Sequence, residues 1–397
     1  MTIAGPRPAT DPLRVALDMT FPRRHPASGS SVYAISLATA LQDADDIFPL
    51  ELVGPQSAGV PETLQWLTSG AERSVRAAEA RLLHCPTFVA PWRSPVPTVI
   101  SMHDAAAFLF PADYPLEWRM YNRFVLPRLA RRAQGIIAVS EAARTDIARY
   151  YRIPVRRISV TYQGVRELYF APVEPGRVAE ISARFRVDDP LLLFVGAPLE
   201  RKNLQRVLTS MAEAQDGRAL SRARLMISGA TARDYPKHVA RIAASGLSDR
   251  VQWLGRVDGD CMPALYAAAD LLVYPSLYEG FGLPPLEAMA IGTPVVASAA
   301  SCLPEILADA ALLVDPNDDH AFAEAVESVL TRPDLRRFLV ERGRNRAARF
   351  RWNACAAATA EVYHRVLGCR ARGSPAHAEP RGSSGVAVPG SIGQDRG

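Results

Sequence analysis

Short apolar runs alternate with longer stretches of helical periodicity along most of the chain. The first run ends in a carboxylate at Asp18, and a helical stretch over 31–41 follows it after a loop. The same order recurs at 98–102 and at 135–139. Apolar strand runs that alternate with helices predict a parallel sheet covered on both faces. The first half of the chain is therefore predicted to be a doubly wound α/β unit.

The helices that follow the second and third runs are predicted over 116–132 and 140–151. Ser140 suits the N-cap of the latter, because its side-chain oxygen can accept a bond from a free backbone amide. After a segment with proline and glycine near 164–189, a second series of the same kind begins. Its predicted strands are 191–195, 224–228, 251–254, 270–274, 294–297 and 311–314.

The length agrees with two such units, because 397 residues predict about two domains. We predict two Rossmann-like domains with a ligand-binding cleft between them. The N-terminal domain is predicted over 13–170 and the C-terminal domain over 171–369. The last helix, at about 352–367, is expected to pack back on the N-terminal domain. The compositions of 1–12 and 370–397 predict disordered ends.

Charge and cysteine content exclude several classes of protein. The chain has 46 basic and 41 acidic residues, a net charge of +5, and 48% apolar residues. This excess does not indicate nucleic acid as a partner, since phosphate-binding proteins concentrate positive charge on one face. Five dispersed cysteines without a C-x-x-C pair argue against disulfides and zinc. Without an apolar run long enough for a membrane span or a signal peptide, the chain is expected to be cytoplasmic.

The first candidate site follows the apolar run that leads to Gly196. Ligands of doubly wound folds bind at the carboxyl ends of the strands. Arg201 and Lys202 lie there, before a helix that starts near Asn203, and Lys202 is one of only two lysines. Two cations at a helix entrance suit a diphosphate. A solvated pair at a helix end is the alternative.

The second candidate site follows the run at 270–274. Its loop carries Glu279 and continues into a helix that begins at two prolines, and Glu287 lies one turn into that helix. Free amides at the entrance, from Gly280, Phe281, Gly282 and Leu283, can donate to anionic or hydroxyl oxygens. Carboxylates accept bonds from the paired hydroxyls of a sugar or ribose. For Glu287 alone, a structural carboxylate in the first helical turn is the alternative.

Two further segments give weaker signals. His103 follows 98–102, where a lone histidine is more often structural. The small-residue turn 28–31, which contains Gly29, can approach a phosphate closely. The sequence lacks G-x-G-x-x-G after its first strand, G-x-x-x-x-G-K-[ST], H-E-x-x-H and G-x-S-x-G. Nicotinamide enzymes, P-loop hydrolases, zinc proteases and serine hydrolases therefore lose their main support.

Together these motifs resemble the family-4 retaining glycosyltransferases, which have the two-domain GT-B fold. The most specific part is the E-x7-E pair of Glu279 and Glu287, within Ser-Leu-Tyr-Glu-Gly-Phe-Gly-Leu-Pro-Pro-Leu-Glu. The segments 292–298 and 303–305 also look like the family. The resemblance covers about residues 13–367.

The resemblance implies roles on the donor side. Arg201 and Lys202 would neutralise the departing diphosphate of the donor. Glu287 would hold the ribose hydroxyls. Glu279, with the amides of the loop 281–283, would hold the transferred hexose.

It implies roles for the remaining candidates as well. His103 would reach the same sugar from the N-terminal domain, through its backbone carbonyl or its ring. Gly196 and Gly280 would line the substrate site. The loop at Gly29 would face the phosphates or the acceptor, although Ser31 stands where family members often have a second glycine.

The implied reaction moves a hexose from a nucleotide-diphosphate sugar to a hydroxyl with retention at the anomeric carbon. No cofactor or metal is expected, because the two cations would supply the charge that Mg²⁺ supplies elsewhere. The sequences of the motifs are most similar to those of bacterial mannosyltransferases of polysaccharide or O-antigen assembly. This resemblance implies GDP-mannose as the donor. A UDP-sugar-dependent transferase of the same fold and a non-catalytic sugar-nucleotide-binding protein are the alternatives.

An arginine-rich stretch bears on the acceptor. Between Arg119 and Arg157 there are ten arginines and only two acidic residues, Glu141 and Asp146. Such a stripe on helices would suit an anionic membrane surface. The acceptor would then be lipid-linked rather than a free glycan. A solvated basic helix face is the alternative.

Overall fold

The computed structural model of the chain describes residues 14–25, 28–44, 50–55, 60–185 and 189–368. Within them the chain forms two sheets of six parallel strands, accompanied by helices. The prediction of two doubly wound α/β units in a GT-B arrangement is confirmed. The predicted disordered ends, 1–12 and 370–397, lie outside the described residues.

The first sheet has the strand order β2-β1-β3-β4-β5-β6. Its strands are β1 (Val15–Asp18), β2 (Leu50–Val53), β3 (Leu82–Cys85), β4 (Thr98–Met102), β5 (Gly135–Ala138) and β6 (Ile158–Val160). Its helices are α1 (Thr20–Arg24), α2 (Gly29–Gln42), α3 (Val60–Gln65), α4 (Ala71–Ala77), α5 (Ala106–Leu109), α6 (Leu116–Met120), α7 (Leu126–Arg132) and α8 (Glu141–Tyr151). Two π-helical turns (Trp66–Gly70, Tyr121–Val125) and three 3₁₀ turns (Pro111–Asp113, Val155–Arg157, Glu167–Tyr169) complete this half.

The second sheet has the order β12-β11-β10-β7-β8-β9. Its strands are β7 (Leu191–Val195), β8 (Arg224–Ser228), β9 (Val251–Gly255), β10 (Leu271–Tyr274), β11 (Val295–Ser298) and β12 (Leu312–Val314). The helices of this part of the chain are α9 (Pro175–Phe185), α10 (Leu204–Ala212), α11 (Ala219–Arg222), α12 (Pro236–Ala244), α13 (Met262–Ala268), α14 (Leu283–Ile291), α15 (Leu303–Leu307), α16 (Asp319–Thr331), α17 (Pro333–Ala347) and α18 (Trp352–Leu367). Three 3₁₀ turns lie at Glu200–Lys202, Ala232–Asp234 and Ala308–Ala310. None of the helices in the described ranges is long and apolar enough to cross a membrane.

The strands at the centre of each sheet are buried along their whole length. Every residue of β1, β3, β5, β10 and β11 is buried. A parallel sheet covered on both faces excludes water from both sides, so its strands are apolar at successive positions rather than alternate ones. This explains why most of the strands were visible as apolar runs.

Three strands were missed by the sequence analysis. The edge strand β2 is buried only at Val53, and β6 is three residues long at the opposite edge. In β3 the apolar run is interrupted by His84, whose ring is buried. Short edge strands and a strand with a buried polar side chain do not produce a continuous apolar run.

The helix predicted over 116–132 is present but is not uniform. It runs through α6, the π turn Tyr121–Val125 and α7. Pro127 lies in the first turn of α7 and has no backbone N–H, so the regular bond pattern cannot pass through it. Ser140 caps α8 as predicted, since its Oγ accepts a bond of 3.0 Å from the Ala143 amide.

The last helix, α18, packs on α2 and β5 of the first half. The Tyr363 hydroxyl lies 2.6 Å from Nδ1 of His84, and Nε2 of the same ring lies 2.9 Å from Ser101 Oγ. Burial lowers the pKa of His84 to about 3, so this ring is neutral at physiological pH. The chain therefore returns from the second half to the first, and the last described helix packs on the first half.

Candidate active site

The carboxyl ends of strands from both sheets meet between the two halves. His103 follows β4, and the loop with Gly280 follows β10. A Cβ atom on Gly280 would lie only 2.1 Å from the His103 carbonyl oxygen. Only glycine allows the two backbones to approach this closely. The contact joins two candidates that are 177 positions apart in the sequence.

Glu279 forms ion pairs with both predicted cations. Its Oε1 lies 2.6 Å from Lys202 Nζ, and its Oε2 lies 3.2 Å from Arg201 Nη1. The Lys202 ammonium also donates to the Tyr274 hydroxyl at 2.9 Å and lies 4.8 Å from the centre of that ring. The three charged side chains are largely buried, so solvent screens their interaction only weakly.

These ion pairs control the ionisation of the cluster. Burial by itself would raise the pKa of Glu279, but Lys202 and Arg201 outweigh it and lower the pKa to about 2. Burial lowers the pKa of Lys202, and the Glu279 carboxylate opposes that shift. Arg201 Nε is buried and has no hydrogen-bond acceptor among the described residues. The cluster therefore retains an N–H group that can donate a hydrogen bond to a ligand oxygen.

The loop after Glu279 is held from the protein side through its carbonyls. The carbonyls of 279, 280 and 281 accept bonds from Ser301 Oγ at 2.6 Å, Ser140 Oγ at 2.7 Å and Cys302 Sγ at 3.1 Å, respectively. Gly282 precedes α14 with a φ of +93°, a conformation that favours glycine. Within the described residues, the amides of 280–283 donate to no protein acceptor. These four amides are available to ligand oxygens or water.

His103 presents its backbone, not its ring, to this loop. Its ring is buried in the first half, where Nε2 lies 3.0 Å from the Pro86 carbonyl and the ring packs edge-on against Tyr33. Burial lowers the pKa of His103 to about 4, so the ring is neutral and donates through Nε2. His103 was expected to contact the sugar through its backbone carbonyl or its ring, and the geometry favours the carbonyl.

Glu287 lies on α14 and has different partners from those of the cation cluster. The Tyr266 hydroxyl donates to its Oε2 at 2.9 Å. Burial raises the pKa of Glu287, while Tyr266, Arg166 and Tyr169 oppose that shift. Arg166, which the sequence analysis missed, lies over the Tyr169 ring at 5.3 Å. A sugar hydroxyl at Glu287 would therefore meet a carboxylate already oriented by tyrosines.

The two remaining glycine candidates differ in position. Gly196 directly follows β7 with a φ of +122°, and a Cβ there would lie 3.6 Å from Lys202 Cε. It therefore belongs to the cation cluster. Gly29 begins α2, and a Cβ there would meet nothing within 4 Å. No hydrogen bond or ion pair among the described residues joins Gly29 to the cluster, and its role stays a prediction.

Two carboxylates hold the halves together across the cleft. Asp113, from the first half, accepts bonds from the amides of Glu200 at 2.7 Å and Arg201 at 3.2 Å. Glu305, from the second half, accepts bonds from the amides of Glu141 at 2.8 Å and Ala142 at 3.0 Å. Each carboxylate binds free amides at the start of a helical turn in the opposite half, where negative charge is favoured.

We call these two contacts the reciprocal latch. The Tyr162 hydroxyl adds a third bond to Glu305, at 2.8 Å. Asp113 was not a candidate in the sequence analysis, and Glu305 was noted only as part of a family-like segment. Their partners are 87 to 164 positions away in the sequence, so no local pattern could have revealed them.

No group of three or more His, Cys, Asp or Glu side chains in the described ranges is arranged to hold a metal ion. Metal independence remains a prediction.

Comparisons with known proteins identify the family. The model described as Glycosyltransferase Family 4 matches residues 31–167, and that described as Glycosyl transferases group 1 matches residues 179–346. O-antigen chain mannosyltransferase B of Escherichia coli is 31% identical over 283 residues, which cover 71% of this chain and 74% of that protein. The chain belongs to the family-4 glycosyltransferases. It is therefore a transferase.

Other relatives and solved structures agree with this assignment. The MMP alpha-(1->4)-mannosyltransferase of Mycolicibacterium hassiacum is 31% identical over 64% of this chain and 59% of that protein. Sucrose-phosphate synthase from Thermosynechococcus elongatus has a TM-score of 0.72 at 23% identity, over 90% of this chain and 99% of that one. HepE from Anabaena, in complex with UDP and glucose, has a TM-score of 0.69 at 20% identity, over 89% and 100%. At these identities the structures show that this family-4 glycosyltransferase shares their fold.

The reciprocal latch generates a testable prediction. Replacing Glu305 by glutamine keeps its size but removes its charge and one of its acceptor atoms. A hydrogen bond to a charged group contributes about 1.5–3 kcal/mol, so the closed arrangement should lose about that much stability. Small-angle X-ray scattering should then give a larger radius of gyration for Glu305→Gln than for the unaltered chain.

Glu341→Gln is the matched control, since Glu341 is exposed on α17 and has no ion pair within the described residues. It should leave the radius of gyration unchanged. An equal radius for Glu305→Gln and the unaltered chain would show that the latch does not hold the halves together.

Proposed function

We propose that this family-4 glycosyltransferase transfers mannose from GDP-mannose to a hydroxyl of a glycan or lipid-linked acceptor, with retention and without a metal ion. The observation that carries the proposal is the buried cluster in which Glu279 holds Lys202 and Arg201 side by side. The mannosyltransferase names of the relatives at 31% identity support the choice of sugar. We also propose that the enzyme is cytoplasmic.

The cation pair would act on the leaving group. Breaking the bond between the anomeric carbon and the diphosphate leaves negative charge on the phosphate oxygens. Lys202 and Arg201 would stabilise that charge. Arg201 Nε, which has no hydrogen-bond acceptor among the described residues, would supply a directed donor. Preorganised donors in a site shielded from water are the largest single contribution in many enzymes.

The hexose would lie between the loop and the first half. The free amides of 280–283 would donate to its hydroxyls, and Glu279 would accept from them. The His103 carbonyl lies against Gly280, so it can accept a bond from the same sugar. Glu287, on α14, would accept from the ribose hydroxyls.

We propose that the configuration is retained because the acceptor oxygen attacks the anomeric carbon on the same face from which the diphosphate leaves. The acceptor oxygen forms a bond to the anomeric carbon as the bond to the diphosphate breaks. The acceptor proton passes to the departing phosphate oxygen. Both carboxylate oxygens of Glu279 are engaged by cations, which makes it a poor nucleophile for a covalent intermediate. An enzyme-bound glycosyl ester detected by mass spectrometry would contradict this course.

The alternative donor is a UDP-sugar. The solved structure of HepE, which shares the fold at 20% identity, contains UDP and glucose. The cation cluster suits the diphosphate of either nucleotide. A non-catalytic sugar-nucleotide-binding protein is the second alternative. The buried cations held by Glu279 argue against it, because they suit stabilisation of a leaving group.

The role of the cation pair can be tested with the two lysines of the chain. Lys202→Ala removes one of the two charges on the leaving group, and loss of one such donor typically lowers kcat by about 100- to 1000-fold. Lys237→Ala is the matched control, because Lys237 lies at the exposed start of α12. Transfer from GDP-mannose to a mixture of candidate acceptors should fall by this factor only in Lys202→Ala. Equal rates in the two variants would refute the role of Lys202.

The donor base can be tested by thermal shift. A ligand at one hundred times its Kd stabilises the folded protein by about 2.7 kcal/mol, so the correct nucleotide should raise the Tm measurably. We expect GDP to do so more than UDP or ADP. Stabilisation by UDP and none by GDP would replace GDP-mannose by a UDP-sugar and leave the rest of the proposal intact.

A further inference from the structure

The helix formed by α6, the π turn and α7 presents an unusual outer face. Leu116, Met120 and Phe124 follow each other at intervals of four residues, which places them on one side of the helix. Their exposed fractions are 63%, 47% and 45%. We call these three residues the apolar row. Scattered apolar residues on a surface need no explanation, whereas a continuous row of them indicates an interaction site.

The apolar row is not needed to attach this helix to the protein. The opposite face does that: Asn122 and Leu126 are buried, and Trp118 packs on the core. The Tyr151 hydroxyl donates to Asn122 Oδ1 at 2.7 Å and fixes the rotation of the helix. The row therefore faces outward because the inner face is already occupied.

Arginines alternate with the apolar row. Arg119 and Arg123 are exposed beside it, and neither forms an ion pair with any residue in the described ranges. The Arg123 guanidinium lies 5.9 Å from the centre of the Phe124 ring. Arg128 continues the basic side one turn further on, and its guanidinium donates to the Phe124 carbonyl. Apolar side chains interspersed with arginines match the boundary between lipid headgroups and acyl chains.

The apolar row begins beside the cleft. Leu116 lies three residues after Asp113, whose carboxylate binds the amides of Glu200 and Arg201. The Phe110 ring lies 6.2 Å from that of Tyr278, the residue before Glu279. A surface that contacts the row therefore lies next to the mouth of the cleft.

Three other arginines of the stripe lie at a different edge of the sheet. Arg131 and Arg132 end α7 just before β5, so they are at the amino edge of the sheet, whereas the cleft is at its carboxyl edge. The Arg157 guanidinium donates to the carbonyls of Arg131 and Ala133, which places it at the same distant edge. Arg131, Arg132 and Arg157 therefore lie apart from the apolar row, whereas Arg119, Arg123 and Arg128 accompany it.

We propose that the apolar row and its three arginines dock this enzyme on an anionic bilayer, with the mouth of the cleft facing the headgroups. The inference deepens the proposed function and rests on it, because it selects a lipid-linked acceptor over a free glycan. The three apolar side chains enter the acyl boundary, and the arginines bind the phosphates of anionic lipids.

Other occupants fit the surface less well. A second copy that used the same face about a twofold axis would bring two positively charged surfaces together. Single-stranded nucleic acid would satisfy the arginines and stack on Phe124, but it would leave the aliphatic Leu116 and Met120 without a partner. An anionic bilayer accommodates both parts of the surface at once.

The test is sedimentation of the full chain with vesicles of phosphatidylglycerol and phosphatidylcholine, and with vesicles of phosphatidylcholine alone. We expect binding to the anionic vesicles that weakens in high salt. Arg119→Gln/Arg123→Gln should weaken it about 25-fold, from about fivefold for each arginine. Met120→Ser/Phe124→Ser should weaken it by about tenfold or more, because the buried apolar area is lost.

The matched control is Phe338→Ser/Arg342→Gln on α17. Arg342 lies 5.4 Å from the centre of the exposed Phe338 ring, so this is an arginine–phenylalanine pair of the same kind on the other half. It should bind vesicles like the unaltered chain. Absence of sedimentation, or equal sedimentation of all variants, would overturn the inference. So would binding to single-stranded RNA instead of vesicles, or a concentration-dependent dimer that the row variants abolish.

The thermal shift with GDP is measured on the same proteins. It confirms that each variant is folded and reports on the donor site independently. If GDP stabilises the chain and vesicles do not bind it, only the membrane inference fails. If vesicles bind as expected and GDP has no effect, only the proposed donor fails.

Discussion

The site depends on the ion pairs that Glu279 makes with Lys202 and Arg201 between the two sheets. Two adjacent cations shielded from water repel each other and lose hydration, and both effects destabilise the folded protein. The carboxylate of Glu279, which lies between the two cations, offsets this cost. Glu279 therefore orients the cations, in addition to its proposed contact with the sugar. A change at Glu279 would alter the leaving-group side and the hexose side together.

The loop around Glu279 follows from the same constraint. Its carbonyls are tied to Ser301, Ser140 and Cys302, so the carboxylate is held in place by backbone bonds rather than by its own side chain alone. With the carbonyls engaged, the amides of 280–283 are the polar groups left for a ligand. The Ser140 bond comes from the other half of the molecule, so the loop is shaped in part by closure of the cleft.

The sequence predicted the fold and the local parts of the site, but not the contacts that assemble them. Strands covered on both faces are apolar at every position, which made β7 and β10 visible, whereas the half-exposed edge strand β2 was not. Arg201, Lys202 and Glu279 each lie after a strand and were found for that reason. Asp113 was missed because the amides that it binds are distant in sequence. Arg166 was missed because the fold alone brings it near Glu287. The exposure of Leu116, Met120 and Phe124 was also invisible, since it depends on which face of the helix the core occupies.

The central claim is that protein cations replace a metal ion in stabilising the departing diphosphate. The most direct measurement is the rate of mannose transfer from GDP-mannose in excess EDTA, compared with the rate in excess Mg²⁺. The account predicts equal rates under the two conditions. A rate that EDTA abolishes and Mg²⁺ restores would contradict it.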